Sequence, residues 1–248
     1  MKKILLLVFF MEILFVSSGF ASLQTDVNAL RVLQRGLNKP ALNEMLDNVL
    51  SVVPNVASYQ VVPTSGSVVR RFDDRSHQVS GYYLRYQGDP NIPEEERLSN
   101  LVHELTHIAV DQAYGKDLTN YSNRTTKAVP AAIFGKEVST DTFSLMRNEA
   151  ARQTAQNLEP VNKKLDGNLA QLDKLVSGCN FSPAIKKKIK DKLLYGRVRP
   201  NLEYDTCINQ IIVWWHIMDI PTSNNIYKKL ETLVRDATTR RRTGARVN

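Results

Sequence analysis

The chain is predicted to be an α+β protein folded as two lobes, and three observations carry that expectation. Its 248 residues, 42% hydrophobic and 23% charged, suffice for one large domain with a sizeable core. Within an otherwise helical pattern lies a single stretch rich in Val, Tyr and Phe. The resulting order is helix, three strands and then helices only, which places a small sheet at one end of a helical body. Only the first sixteen residues contain a long apolar run, so a multi-span membrane protein is excluded along with fibrous and disulfide-dense classes. The formal net charge of +8 favours anionic partners but names none.

The N-terminus reads as an address. Lys2 and Lys3 precede an apolar run, Ile4–Phe10 and Ile13–Val16, followed by small residues ending at Ala21. A basic start, a short apolar stretch and small residues near a cleavage point describe a signal peptide of bacterial type over residues 1–21. The run is short for a bilayer span, which takes about 20 apolar residues. A secreted or periplasmic protein without stable membrane insertion is therefore expected, with residues 22–248 forming one catalytic-sized domain. Its N-terminal lobe would span 22–115 and its helical C-terminal lobe 116–248. Residues 23–53 are also a candidate pro-segment.

Within the domain, Leu30, Leu33 and Leu37, then Leu42, Met45, Leu46 and Val49, recur at helical spacing over 25–53, with a break near Lys39-Pro40. Strands are expected at Ser58–Val62, Ser67–Phe72 and Gln78–Tyr86, separated by turn signals at Pro63–Gly66 and Asp73–Ser76. Pro93 followed by Glu94, Glu95 and Glu96 opens a long helix to about Tyr114, with Gly115 beyond its end. Residues 116–136 lack periodicity and read as a loop. Helices follow at about 139–158, 161–177, 183–195, 204–219 and 223–240. Cys179 and Cys207 would close a disulfide in an oxidising compartment, the alternative being two buried free thiols. The Lys186–Lys192 cluster reads as a solvated helix face, and Arg240–Arg242 with Arg246 as a disordered tail. Without interleaved aromatics neither suggests nucleic acid.

One motif carries chemistry. His103-Glu104-Leu105-Thr106-His107 is HExxH, inside the long helix. Residues i and i+4 are about 40° apart around a helix, so both imidazoles can grip one metal ion while Glu104 projects beside them. Zinc is the natural occupant, because two neutral imidazoles and a carboxylate leave a fourth position for water. That water's pKa falls toward ~7 on zinc, and Glu104 would take its proton. The apolar stripe of the helix, Leu98, Leu101, Val102, Leu105, Ile108 and Ala109, lies on the opposite side, so the histidines are not expected in the core.

The segment Leu101–Asp111 resembles the active-site helix of thermolysin-like zinc peptidases, the gluzincins, in which HELTH is likewise followed by an aspartate four residues on. That resemblance implies a zincin-like two-lobed fold and a third ligand in an Asn-Glu-Ala context, matched by Asn148-Glu149-Ala150. It implies His103, His107 and Glu149 as ligands, Glu104 as base and Asn148 as a partner for His107. The family's aspartate four residues after the third ligand is here Gln153, which implies either a weaker site or another partner, such as Asp111 or Asp141. Asp111 and Asp117 stand as alternative third ligands.

Gln78–Tyr86, with Tyr82 and Tyr83 on opposite faces, is a candidate edge strand for binding substrate by strand addition, or simply a sheet strand. His216 is the candidate oxyanion donor, although its apolar surroundings also suit a core histidine; Tyr195, Tyr204 and Tyr227 are further candidates. His77 falls in a turn. The expected function is a monomeric, secreted Zn2+ metalloendopeptidase acting on a protein or peptide substrate, without nucleic acid. The rivals are a non-catalytic binding protein on the same scaffold and a delivered toxin or effector protease with one protein target.

Overall fold

The computed structural model describes residues 22–36, 39–76, 78–89, 91–114 and 140–243, with side chains outside that description at 114, 140–158, 201 and 242–243. The signal peptide, Gly115, the 116–136 loop with Asp117, and His77 lie outside the described residues. So do the side chains of Asp141, Asn148, Glu149 and Gln153.

The architecture is mixed α+β. It opens with α1 (Leu23–Gly36) and α2 (Pro40–Leu50), then a 3-10 turn at Val53–Asn55. Strands β1 (Val56–Val62), β2 (Ser67–Phe72) and β3 (Val79–Gln87) precede the HExxH helix α3 (Glu94–Tyr114). Four helices follow: α4 (Thr140–Gly178), α5 (Pro183–Val198), α6 (Pro200–Ile217) and α7 (Asn225–Thr243). Local chemistry explains several boundaries. Pro40, Pro183 and Pro200 open their helices, where a missing N–H is harmless. Ser182 caps α5 by accepting from the backbone N–H of Ile185. The two helices expected at 139–158 and 161–177 are one, running through Pro160 despite the lost backbone hydrogen bond.

Strand order is β1-β3-β2, with β1 parallel and β2 antiparallel to β3. The candidate substrate strand is therefore corrected: β3 is the centre of the sheet, its backbone paired on both sides, and cannot add a further strand. Its alternation holds. Tyr82, Leu84 and Tyr86 point into the core, while Tyr83 faces outward and donates to Gln60 Oε1 at 2.9 Å.

Helix α3 lies at the centre, packed by the sheet, by α1, α2 and α7, and most extensively by α6. One contiguous core runs from Leu23 to Val234 and crosses the boundary expected at 115/116. The α1–α2 segment is integral to it: Leu30, Leu42, Met45, Leu46 and Val49 are fully buried. Asp26, also fully buried, accepts from Tyr86 of β3 at 3.0 Å and from Arg97 of α3 at 2.9 Å. A removable pro-segment at 23–53 does not fit this packing.

The disulfide is also corrected, because both cysteines are free. Cys207 faces Gly196 and Leu169, where even a methyl group on Gly196 would come within 2.9 Å of its Cβ. Cys179 lies ten residues beyond Leu169, about 15 Å further along the α4 axis. The Cys207 thiol donates to Lys192 O at 3.0 Å, and burial pushes its pKa up to about 12.

The basic clusters are tied down locally. Lys188 and Lys192 both pair with Glu96, at 3.5 and 3.3 Å, so α5 clamps the acidic start of α3. Lys187 pairs with Asp191 and Lys190 with Asp173. Arg240 and Arg241 are not tail residues: α7 continues through them and both pair with Asp205 of α6.

Asp26→Ala is expected to cost about 2–4 kcal/mol, because the buried Tyr86 hydroxyl and the half-buried Arg97 guanidinium both lose the carboxylate they donate to. Urea unfolding of the variant beside the parent measures it, and a change under 1 kcal/mol would contradict the pinning role.

Candidate metal centre

Helix α6 supplies what α3 lacks. Its segment Tyr204–Trp215 is buried almost all round, with Ile208, Ile211, Ile212, Val213 and Trp215 in the core. A polar stripe, Glu203, Thr206, Asn209 and Gln210, recurs at about helical spacing and faces the polar side of α3. The helices meet antiparallel: Asn100 pairs with Gln210 near one end and His107 with Glu203 near the other.

At this seam His103 Nε2 and His107 Nε2 lie 3.2 Å apart, and Glu203 Oε2 lies 3.4 Å from each. Among the described residues these three form the one group of histidine, cysteine and acidic side chains arranged to hold a metal ion. The donor chemistry fits zinc. A tetrahedral set with bonds of about 2.0–2.1 Å places its ligand atoms about 3.3 Å apart, close to all three separations. Two imidazole nitrogens disfavour calcium and magnesium, which take oxygen.

The support around the cluster is specific. With Nε2 turned inward, His103 donates from Nδ1 to Gln210 Oε1 at 3.2 Å, and the Gln210 amide donates to Asn100 Oδ1 at 2.7 Å. Thr206 donates to Glu203 Oε2 at 3.2 Å, and Asn209 donates to Thr106 Oγ1 at 3.1 Å. Burial, helped by the charge of His107, lowers the His103 pKa to about 3, which keeps that imidazole neutral. Burial pushes the Glu203 carboxyl up, but the hydrogen bond from His107 and the positive charge on that ring outweigh it. Glu203 therefore sits below its ordinary value.

Three expectations change here. His103 is a buried residue, 8% exposed, because α6 covers the helix face opposite the apolar stripe. Asp111 is turned to the sheet, where Arg70 pairs with it and Tyr82 donates to it at 2.9 Å, so it neither joins the cluster nor orients a histidine. The partner that orients His103 is the neutral Gln210.

His216 is not brought to the centre. It lies thirteen residues after Glu203 on α6, about 20 Å along the axis, with its Nε2 3.2 Å from Tyr227 Oη. The tyrosine candidates separate as well. Tyr204 accepts from Asn168 inside the core, and Tyr227 is buried beside His216. Tyr195 of α5 is about half exposed, with its ring centroid 5.9 Å from that of His103. Burial first, then the charges of Glu203 and Glu104, raise its phenol pKa.

No family model, curated protein or solved structure matches the chain. The centre rests on its own geometry. Glu203 and Gln210 are the site residues that sequence reasoning missed. The helix was expected to begin at 204, one residue too late to include Glu203. The usable signal was the narrow polar stripe, i, i+3, i+6 and i+7, on an otherwise apolar helix.

Gln210→Ala should weaken zinc binding roughly ten- to hundredfold, as loss of a ligand's orienting partner does, measured by competition with a chelator dye. A second expectation concerns acid. Burial, then the charge of Lys39, lowers the His216 pKa to about 4 from its ordinary 6.5. Between those values the unfolded chain binds more protons, so stability falls as pH drops from about 6.5 to about 4. His216→Gln should reduce that slope in thermal unfolding, leaving the part that the lowered pKa of His103 contributes, and an unchanged slope would remove His216 as a source.

Proposed function

We propose that the protein is a secreted zinc metallopeptidase with a zincin-like active-site helix, using His103, His107 and Glu203 as ligands and Glu104 as general base. The observation that carries this reading is the near-equal spacing of three ligand atoms on an HExxH helix. Zinc, when bound, would polarise a water molecule and a substrate carbonyl oxygen.

The protein's own groups supply the rest. His103 and His107 present Nε2 to one point, and Gln210 holds the first ring in the tautomer that leaves Nε2 unprotonated. Glu104 follows His103 directly on α3 and is placed to accept a proton and return it to the leaving amine. Tyr195, the exposed phenol beside His103, is suited to donate a hydrogen bond to the developing oxyanion, the role expected of His216. Strand addition passes from β3 to β2, the strand at the sheet edge nearest α3. Among the described residues no helix is long and apolar enough to cross a membrane.

One observation favours a second reading. Glu104 is only 7% exposed and the cluster lies between two packed helices, which also suits a zinc ion that staples α3 to α6 without turnover.

Glu104→Gln separates the two. Under the peptidase reading it abolishes cleavage in a terminal-peptide map of a digested extract while zinc stays bound. If the zinc-loaded parent generates no new termini, the staple reading stands. Ligand identity is tested apart from activity: Glu203→Ala should lose zinc, and Glu149→Ala should retain it. The opposite pattern would return the third-ligand role to Glu149.

A further inference from the structure

The carboxylate of Glu104 is met from the sheet side by bare backbone. Gly66 stands between the turn that follows β1 and the first residue of β2. A methyl group added at Gly66 would overlap Glu104 Oε1, lie 2.7 Å from Glu104 Cδ and lie 2.6 Å from the carbonyl oxygen of Arg85. Backbone conformation does not demand glycine there, since the glycine with positive φ among the described residues is Gly81. What forbids a side chain at Gly66 is space, which is taken by the Glu104 carboxylate and by the Arg85 carbonyl; of the two, the side-chain carboxylate is the one that can yield.

The segment cannot simply step away. Ser67, the next residue, pairs with Arg85 in the β2–β3 ladder, so the carbonyl that crowds Gly66 belongs to the strand that holds it. Val68 is buried in the core. Two residues further on, Arg70 pairs with Asp111 of α3, and Tyr82 of β3 donates to the same carboxylate. The start of β2 is thus held against α3 at two points, by contact at Gly66 and Glu104 and by charge at Arg70 and Asp111.

We propose that Gly66 is a positioning residue for Glu104, its backbone forming the wall that sets where the carboxylate comes to rest. This rests on the peptidase reading for the role of Glu104, whereas the contact itself does not. A side chain at Gly66 would push the carboxylate off its position without touching His103, His107 or Glu203. Displacement of a catalytic group by about 1 Å costs on the order of a hundredfold in rate.

The test compares Gly66→Ala, Glu104→Ala and the double variant with the parent. Gly66→Ala should keep parental zinc affinity and KM and lose roughly ten- to hundredfold in kcat. Thermal unfolding should show Gly66→Ala costing clearly less when Glu104 is already alanine. If Gly66→Ala alone does not fold, recovery of folded protein on adding Glu104→Ala supports the contact, and no recovery assigns the crowding to the Arg85 carbonyl and overturns the proposal. Equal unfolding costs in both backgrounds, or a parental kcat, would overturn the proposal. Failure of the peptidase reading looks different: the zinc-loaded parent itself would cleave nothing, whatever the coupling between positions 66 and 104.

Discussion

The structure depends on a polar seam buried between two helices. α3 carries Asn100, His103, Thr106 and His107 on the side away from its apolar stripe; α6 carries Glu203, Thr206, Asn209 and Gln210. Burying such groups without partners costs several kcal/mol each, so the two helices can associate only in a register that satisfies them together. The antiparallel pairing of Asn100 with Gln210 and of His107 with Glu203 is that register. Shifting α6 by one residue would rotate its stripe by about 100° and face apolar side chains with imidazoles.

The seam also shapes the chemistry. An exposed HExxH pair would titrate near the ordinary histidine range; covered by α6, His103 is held neutral and its free nitrogen is aimed by Gln210. An amide in place of a carboxylate makes the orienting bond charge-free, so no further negative charge is buried beside Glu203. The remaining side of α3 is organised from the sheet, where Asp111 ties β2 and β3 to the helix and Gly66 comes to rest against Glu104. Elements from both halves of the chain thus converge on one turn of one helix.

The clamps around this centre are electrostatic but local. Glu96 receives two lysines of α5, Asp205 two arginines of α7, and Asp26 an arginine of α3 and a tyrosine of β3. A basic chain consequently presents less free positive charge than its composition suggests. The lysine run of α5, read from sequence as a solvated face, is largely exposed, and three of its members also pair with Glu96 of α3 and Asp173 of α4.

Sequence alone determined what short-range geometry controls. The helix from Glu94 to Tyr114, the turn signals around β2, and the shared direction of His103 and His107 all follow from contacts within a few residues. What it could not determine depends on which surfaces dock. The third side chain of the cluster, Glu203, lies nearly a hundred residues beyond His107, and nothing local to α3 marks it. β3 lies at the centre because β1 pairs with one of its edges in parallel and β2 with the other in antiparallel, although β2 precedes it in sequence. The burial of His103, the separation of His216 from the centre and the free state of Cys179 and Cys207 were likewise decided by the packing of α6. A helix face reads as exposed in sequence whenever the surface that covers it is itself polar, and here both partners in the seam are.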